Sequence, residues 1–243
     1  VIPKRNPIVY DFSCMQSSDD LGEEAIINLG HDIEDVIVGS SGVEVSIEEE
    51  ERAGDQVYES QKSKIVHNEK SENLERMLQK LVAQIKKPKG YHYSIYFLES
   101  NDLNAWTCGG KIFVTSKIYD FCESNDEMAC ILGHEINHNE LGHIKKKLQK
   151  WKLMGDLNSL YSMFTIPFGQ KDEAHCDLTG IDLVFAAGYD ACVNVELWKR
   201  MKKAFNEGDF DPVNNLFRSH PYSSSRSECS KHHIRYNYDV NCD

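Results

Sequence analysis

Two histidines four residues apart, His134 and His138, flank Glu135 in the run HEINH. On an α-helix, residues at i and i+4 lie on one face, so both imidazoles can reach one metal ion. Glu135, one position round, can address a water on that metal rather than the metal itself. The pattern calls for a tetrahedral zinc with one open position and a carboxylate that deprotonates its water. That is the chemistry of peptide hydrolysis.

Two histidines and a base leave such a site one protein ligand short. One solution places a histidine six residues after His138 with a glycine three residues after it. Those positions hold Ile144 and Leu141, so it fails here. The other takes a carboxylate from a later helix. The run DEAHCDLTG (172–180) supplies Glu173, with Asp177 one turn on along the same face. With Glu173 on the metal, Asp177 can fix a ligand histidine by accepting its second N–H. His143 falls five residues after His138. In a continuous helix that spacing turns it away from the ligand face, which predicts a structural role.

The elements that must carry these residues can be read from periodicity. Leu21–Val38 and a stretch opening at Glu48–Glu51 read as helices. Leu74, Met77, Leu78, Leu81, Val82 and Ile85 form a helical stripe that stops before Pro88. Tyr91, Tyr93, Ile95 and Phe97 alternate with His92, Ser94 and Tyr96, which predicts a strand. Gly109-Gly110 makes a tight turn before a second strand, Lys111–Thr115, with Ile112 and Phe113 in its middle. As an edge strand beside the metal helix, this segment could pair with an extended substrate through backbone hydrogen bonds. Helices follow at about 125–150, 172–187, 193–206 and 225–235. Between the two metal-bearing helices, Trp151, Leu153, Met154, Leu157, Leu160, Tyr161, Met163 and Phe164 could form a lid or core.

Composition bounds the reading. Of 243 residues, 40% are hydrophobic and 27% charged, as in a soluble globular chain, and no apolar stretch approaches a membrane span. The net charge of −12 is uneven: residues 1–60 carry 15 acidic and 3 basic side chains, whereas residues 61–243 carry 24 of each. An acidic N-terminal extension over 1–66, largely helical, is therefore expected ahead of a catalytic domain over 67–243. The extension reads as solvated surface or as a docking site for a basic partner. No basic stripe points to nucleic acid. The chain begins Val1-Ile2-Pro3, as removal of a signal peptide or trimming would leave it. Eight cysteines without a CxxC pair permit disulfides, Cys229–Cys242 being the first expected. These features lean towards an exported protein of the bacterial periplasm or the extracellular space.

Four stretches, taken in order, extend the pattern: NAWTCGGKIFVTSKI (104–118), DEMACILGHEINHNELGH (126–143), EAHCDLTGIDLVFAAGYD (173–190) and SHPYSSSR (219–226). On these the chain resembles peptidase family M48, which includes HtpX-like and CAAX prenyl endopeptidase-type enzymes. The resemblance spans about residues 70–235. It implies an α+β mini-gluzincin fold: a small antiparallel sheet packed on helices carrying HExxH and a later Glu-x-x-x-Asp. It further implies Zn2+ on His134, His138 and Glu173, with Glu135 as base and Asp177 behind the ligands. His220, next to Pro221, is expected near the metal, where it could steady an oxyanion, and Arg226 could pair with an acidic residue to hold that loop. Where the family has proline before the Gly-Gly turn this chain has Cys108, and Cys130 and Cys176 also depart from its usual residues. The expected activity is zinc-dependent hydrolysis of polypeptides, in unfolded or misassembled proteins. The rival expectation is a latent or non-proteolytic zinc-stabilised assembly factor.

Overall fold

The computed structural model describes residues 1–15, 36, 38–154, 168–206 and 224–242. His220, most of the expected helix at 21–38 and the apolar residues Leu157 to Phe164 lie outside these. Helix α1 (Ile47–Gln61) starts with a full capping box: the Ser46 hydroxyl accepts from the Glu49 N–H, and the Glu49 carboxylate accepts from the Ser46 N–H. Helix α2 (Glu69–Val82) carries the predicted stripe, with Leu74, Met77, Leu78 and Leu81 all buried. Strands β1 (Ser94–Leu98), β2 (Ala105–Cys108) and β3 (Lys111–Thr115) follow, and then a short helix α3 (Ser116–Phe121).

The sheet differs from expectation in two ways. Its order is β1-β3-β2, with β1 parallel and β2 antiparallel to β3, so it is mixed rather than antiparallel. Lys111–Thr115 is consequently the central strand, not an edge. Both sides of β3 are already hydrogen-bonded, so Lys111, Ile112 and Phe113 offer no free backbone ladder to a substrate, and Ile112 and Phe113 are core residues. Gly109 and Gly110, at φ +53° and +80°, form the two-residue turn of the β2–β3 hairpin. A Cβ on Gly109 would stand 2.0 Å from the Glu50 carbonyl oxygen, so the turn is packed beneath α1. It is not presented to a ligand.

The helix expected over 125–150 is two helices. α4 (Asn125–Glu140) ends at Leu141, Gly142 adopts φ +83°, and α5 (His143–Met154) starts afresh. The later helices are α6 (Gln170–Ala186), α7 (Val193–Asn206) and α8 (Ser224–Tyr238). α4 is buried from Glu127 through Asn139, polar residues included, because the sheet, α2, α6 and α7 enclose it. The α4–α6 contact is the most extensive between elements, and a glycine pair makes it close. A Cβ on Gly133 would lie 3.2 Å from the Gly180 carbonyl oxygen, and one on Gly180 3.2 Å from the Gly133 carbonyl carbon.

The charge boundary near residue 66 does not coincide with a boundary in packing. Val45, Ala53 and Val57 share a core with Trp106, Cys108, Phe113, Ile144 and Leu148. Glu44 and Glu49 pair with Lys145 and Lys152 of α5 at 3.1 and 2.6 Å, so part of the acidic surplus is engaged within the chain. Residues 1–15 run along α8, where the Asn237 amide donates to the Val9 carbonyl and accepts from the Val9 N–H. Disulfides join Cys14 to Cys229 and Cys192 to Cys242. The expected Cys229–Cys242 bridge is therefore corrected. Cys229 points from α8 towards the N-terminal segment, and Cys242 reaches the start of α7. Among the described residues no helix is long and apolar enough to cross a membrane.

Candidate metal centre

His134 and His138 project from α4 across to the first turns of α6, where the glycine contact brings Glu173 within reach. His134 Nε2 and His138 Nε2 are 2.9 Å apart. Glu173 Oε2 lies 3.3 Å from the first and Oε1 lies 3.4 Å from the second. Ligands about 2.0–2.1 Å from a tetrahedral ion stand roughly 3.3–3.4 Å from one another. The two nitrogen–oxygen separations match that spacing, and the nitrogen–nitrogen separation is slightly tighter. Two neutral-capable imidazoles and one carboxylate, all buried, are a donor set of the kind that a catalytic zinc takes.

His134 and Glu173 are held from behind. His134 Nδ1 is 2.9 Å from Asp177 Oδ1. Arg226 of α8 donates to the same carboxylate twice, from Nε to Oδ2 at 2.6 Å and from Nη2 to Oδ1 at 2.8 Å. Its Nη1 stands 3.1 Å from Glu173 Oε2, so one guanidinium orients both acidic residues. Trp198 of α7 lies beneath Arg226, 4.7 Å from ring centroid to guanidinium carbon. Arg226 thus has the acidic partners expected of it, Asp177 and Glu173, while the loop it was expected to hold lies outside the described residues.

These contacts set protonation. Burial alone would raise the Asp177 carboxyl, but Arg226 and His134 outweigh it and hold the pKa below the ordinary value. Burial alone would lower His134, yet Glu173 and Asp177 win and raise it to about 10. Until a metal displaces a proton, His134 is therefore an imidazolium at neutral pH. Burial pushes Lys147 of α5 down to about 7, although Glu173 and Glu135 nearby favour its charged form. Its ammonium sits 3.3 Å over the Phe168 ring, and Phe168 in turn stacks on His138 at 3.9 Å between centroids.

Glu135 is buried beside the two histidines, one position round the helix. Asn139, one turn on, ties this helix to the hairpin: its amide donates to Thr107 Oγ1 at 2.7 Å and accepts from the Gly110 N–H at 3.0 Å. Asn139 and Trp198 went unnoticed in the sequence. Asn139 sits one turn beyond Glu135, and that spacing was the one available signal for it. His143, expected to point away, instead faces His138 with Nδ1 atoms 3.1 Å apart. The break at Gly142 re-aims it.

Residues 68–155 match the model of peptidase family M48, a span that runs from α2 to the end of α5 and includes HEINH. Mitochondrial metalloendopeptidase OMA1 of Schizosaccharomyces pombe is 26% identical over 168 residues, 62% of this chain and 49% of that protein. OMA1 of Arabidopsis thaliana is 26% identical over 155 residues, 58% of this chain and 31% of that protein. Metalloprotease LoiP of Escherichia coli is 26% identical over 165 residues, 59% of this chain and 61% of that protein. The chain thus spans about half or less of the OMA1 proteins it matches.

Proposed function

We propose that this chain, whose residues 68–155 match peptidase family M48, is a zinc endopeptidase of mini-gluzincin architecture. The observation that carries the reading is the convergence of His134, His138 and Glu173 on one point beside Glu135. When bound there, zinc supplies a Lewis acid that polarises a peptide carbonyl and acidifies water. Glu135 takes the proton of the attacking water and returns it to the departing amine. Asp177 keeps the second proton of His134 on Nδ1, which leaves Nε2 free to ligate. Arg226 prevents Asp177 and Glu173 from repelling one another in a buried space.

The substrates we propose are unfolded or misassembled polypeptides, and the role is protein quality control. Two disulfides support residence in an oxidising compartment, in keeping with an exported protein. The OMA1 relatives are named as mitochondrial. The reading does not rely on His220 for the oxyanion. It is tested by cleavage of casein by zinc-loaded protein, wild type against Glu135→Gln at equal zinc content. Loss of cleavage with zinc and fold retained is expected. Equal cleavage by both would overturn it, and cleavage by neither would favour a zinc-stabilised assembly factor.

A further inference from the structure

His134 is held by an acidic residue and an arginine, whereas the second ligand histidine has a different partner. His138 is fully buried, and its Nδ1 stands 3.1 Å from Nδ1 of His143, itself buried. Two ring nitrogens at that distance need one donor and one acceptor. A metal on His138 Nε2 decides which is which, because a neutral ligand imidazole must then carry its proton on Nδ1. His143 Nδ1 is the acceptor, so the proton of His143 resides on Nε2. There it faces Asp172 Oδ1 at 3.3 Å. Asp172 immediately precedes Glu173 on α6, so adjacent residues of one turn serve the two ends of this chain of contacts.

We propose that His143 and Asp172 are positioning residues that fix the ring and tautomer of His138 for the metal, as Asp177 and Arg226 do for His134. The inference rests on the metallopeptidase reading of the site. Its geometry depends on the helix break: Gly142 at φ +83° ends α4, and α5 restarts with His143 turned back onto His138. Two groups compete for the same atoms. Cys176 Sγ lies 3.4 Å from His143 Nδ1, and Lys146 Nζ lies 3.6 Å from Asp172 Oδ1. The Lys146 side chain is about 41% exposed, so water screens that pair. With Cys176, His138 and His143 form a second trio close enough to hold a metal. Such a metal would need both Nδ1 lone pairs, which ligation of His138 through Nε2 withdraws.

The test is zinc affinity by competition with a chromophoric chelator, on the full chain, for wild type, His143→Leu, His143→Asn and Asp172→Asn. Folding is followed by circular dichroism in excess EDTA. His143→Leu should weaken zinc binding roughly 10–100-fold. His143→Asn should recover most of that, because the Asn oxygen takes the place of Nδ1 as acceptor. Asp172→Asn should weaken binding severalfold in the wild-type background and have no effect in the His143→Asn background, where the link to Asp172 is gone. A purely packing role predicts equal losses for Leu and Asn, or an Asp172→Asn effect that persists in both backgrounds. Either result overturns the proposal, as does an unchanged affinity in His143→Leu. If His143→Leu fails to fold, the comparison of Asp172→Asn in two backgrounds decides. A wild type that takes up no zinc would overturn the metallopeptidase reading itself, an outcome separate from these.

Discussion

Asp177→Asn is the substitution whose consequences the structure specifies most fully. The wild-type carboxylate accepts from His134 at 2.9 Å and from Arg226 at 2.6 and 2.8 Å, with all three residues buried. An Asn of the same shape has one acceptor oxygen where three donors converge, and its own N–H₂ must face one of them. Arg226 then keeps Glu173 as an anionic partner, at 3.1 Å, and draws that carboxylate away from the metal position. Loss of the residue behind a ligand histidine typically weakens metal binding about 10–100-fold, roughly 1.4–2.8 kcal/mol. At free zinc well above both dissociation constants, the stabilisation conferred by zinc should fall by the same amount. Leaving Arg226 with less compensation destabilises the fold as well, by about 3 kcal/mol, the low end for a broken buried pair, because Glu173 remains nearby. The assay is thermal melting with and without zinc, alongside chelator competition. Unchanged zinc affinity and an unchanged zinc-induced shift in Tm would refute the reasoning.

Other expectations follow from single contacts. Gly180→Ala places a methyl 3.2 Å from the α4 backbone. It should cost about 1–3 kcal/mol by forcing the helices apart, and urea melts should show the loss together with weaker zinc binding, since Glu173 moves with α6. Opening the Cys14–Cys229 bridge, which closes a loop of 215 residues, should cost about 2–4 kcal/mol. Melting of Cys14→Ser against wild type measures it, and addition of a reductant should leave the variant less affected than wild type. Zinc uptake at pH 7 should release about one proton, from His134, whose pKa the neighbouring carboxylates raise to about 10. Calorimetry in buffers of different ionisation enthalpy counts it. The sign also fixes stability before zinc binds: a raised pKa contributes fully below about pH 6.5 and is lost as pH rises through about 10.

The segments that carry the candidate metal ligands were legible because that chemistry needs fixed spacing. HEINH and the Glu173/Asp177 pair each present one face of a helix, and those helices meet as that spacing requires. Lys111–Thr115 was found as a strand, and so was its parallel neighbour β1, within the alternation over 91–97, but its other neighbour was not. Ala105–Cys108 is a four-residue strand, buried throughout, with no alternation to betray it, although the Gly-Gly turn that follows signals a hairpin. With β2 missed, β3 was taken for an edge. His143 was misjudged for a related reason. Counting from His138 assumes a continuous helix, and one glycine at positive φ resets the count. Polar residues on a helix buried all round, such as Asn139, leave no amphipathic pattern to read. The disulfides depend on where α8 and the N-terminal segment pack, which local sequence does not encode.

The central claim is that one zinc is held by two imidazoles of α4 and a carboxylate of α6. X-ray absorption at the zinc edge, on protein loaded with one equivalent, tests it most directly. Two histidine nitrogens with oxygen completing the shell, all near 2.0–2.2 Å, are predicted. A sulfur scatterer near 2.3 Å would place the ion on Cys176 instead and contradict the account.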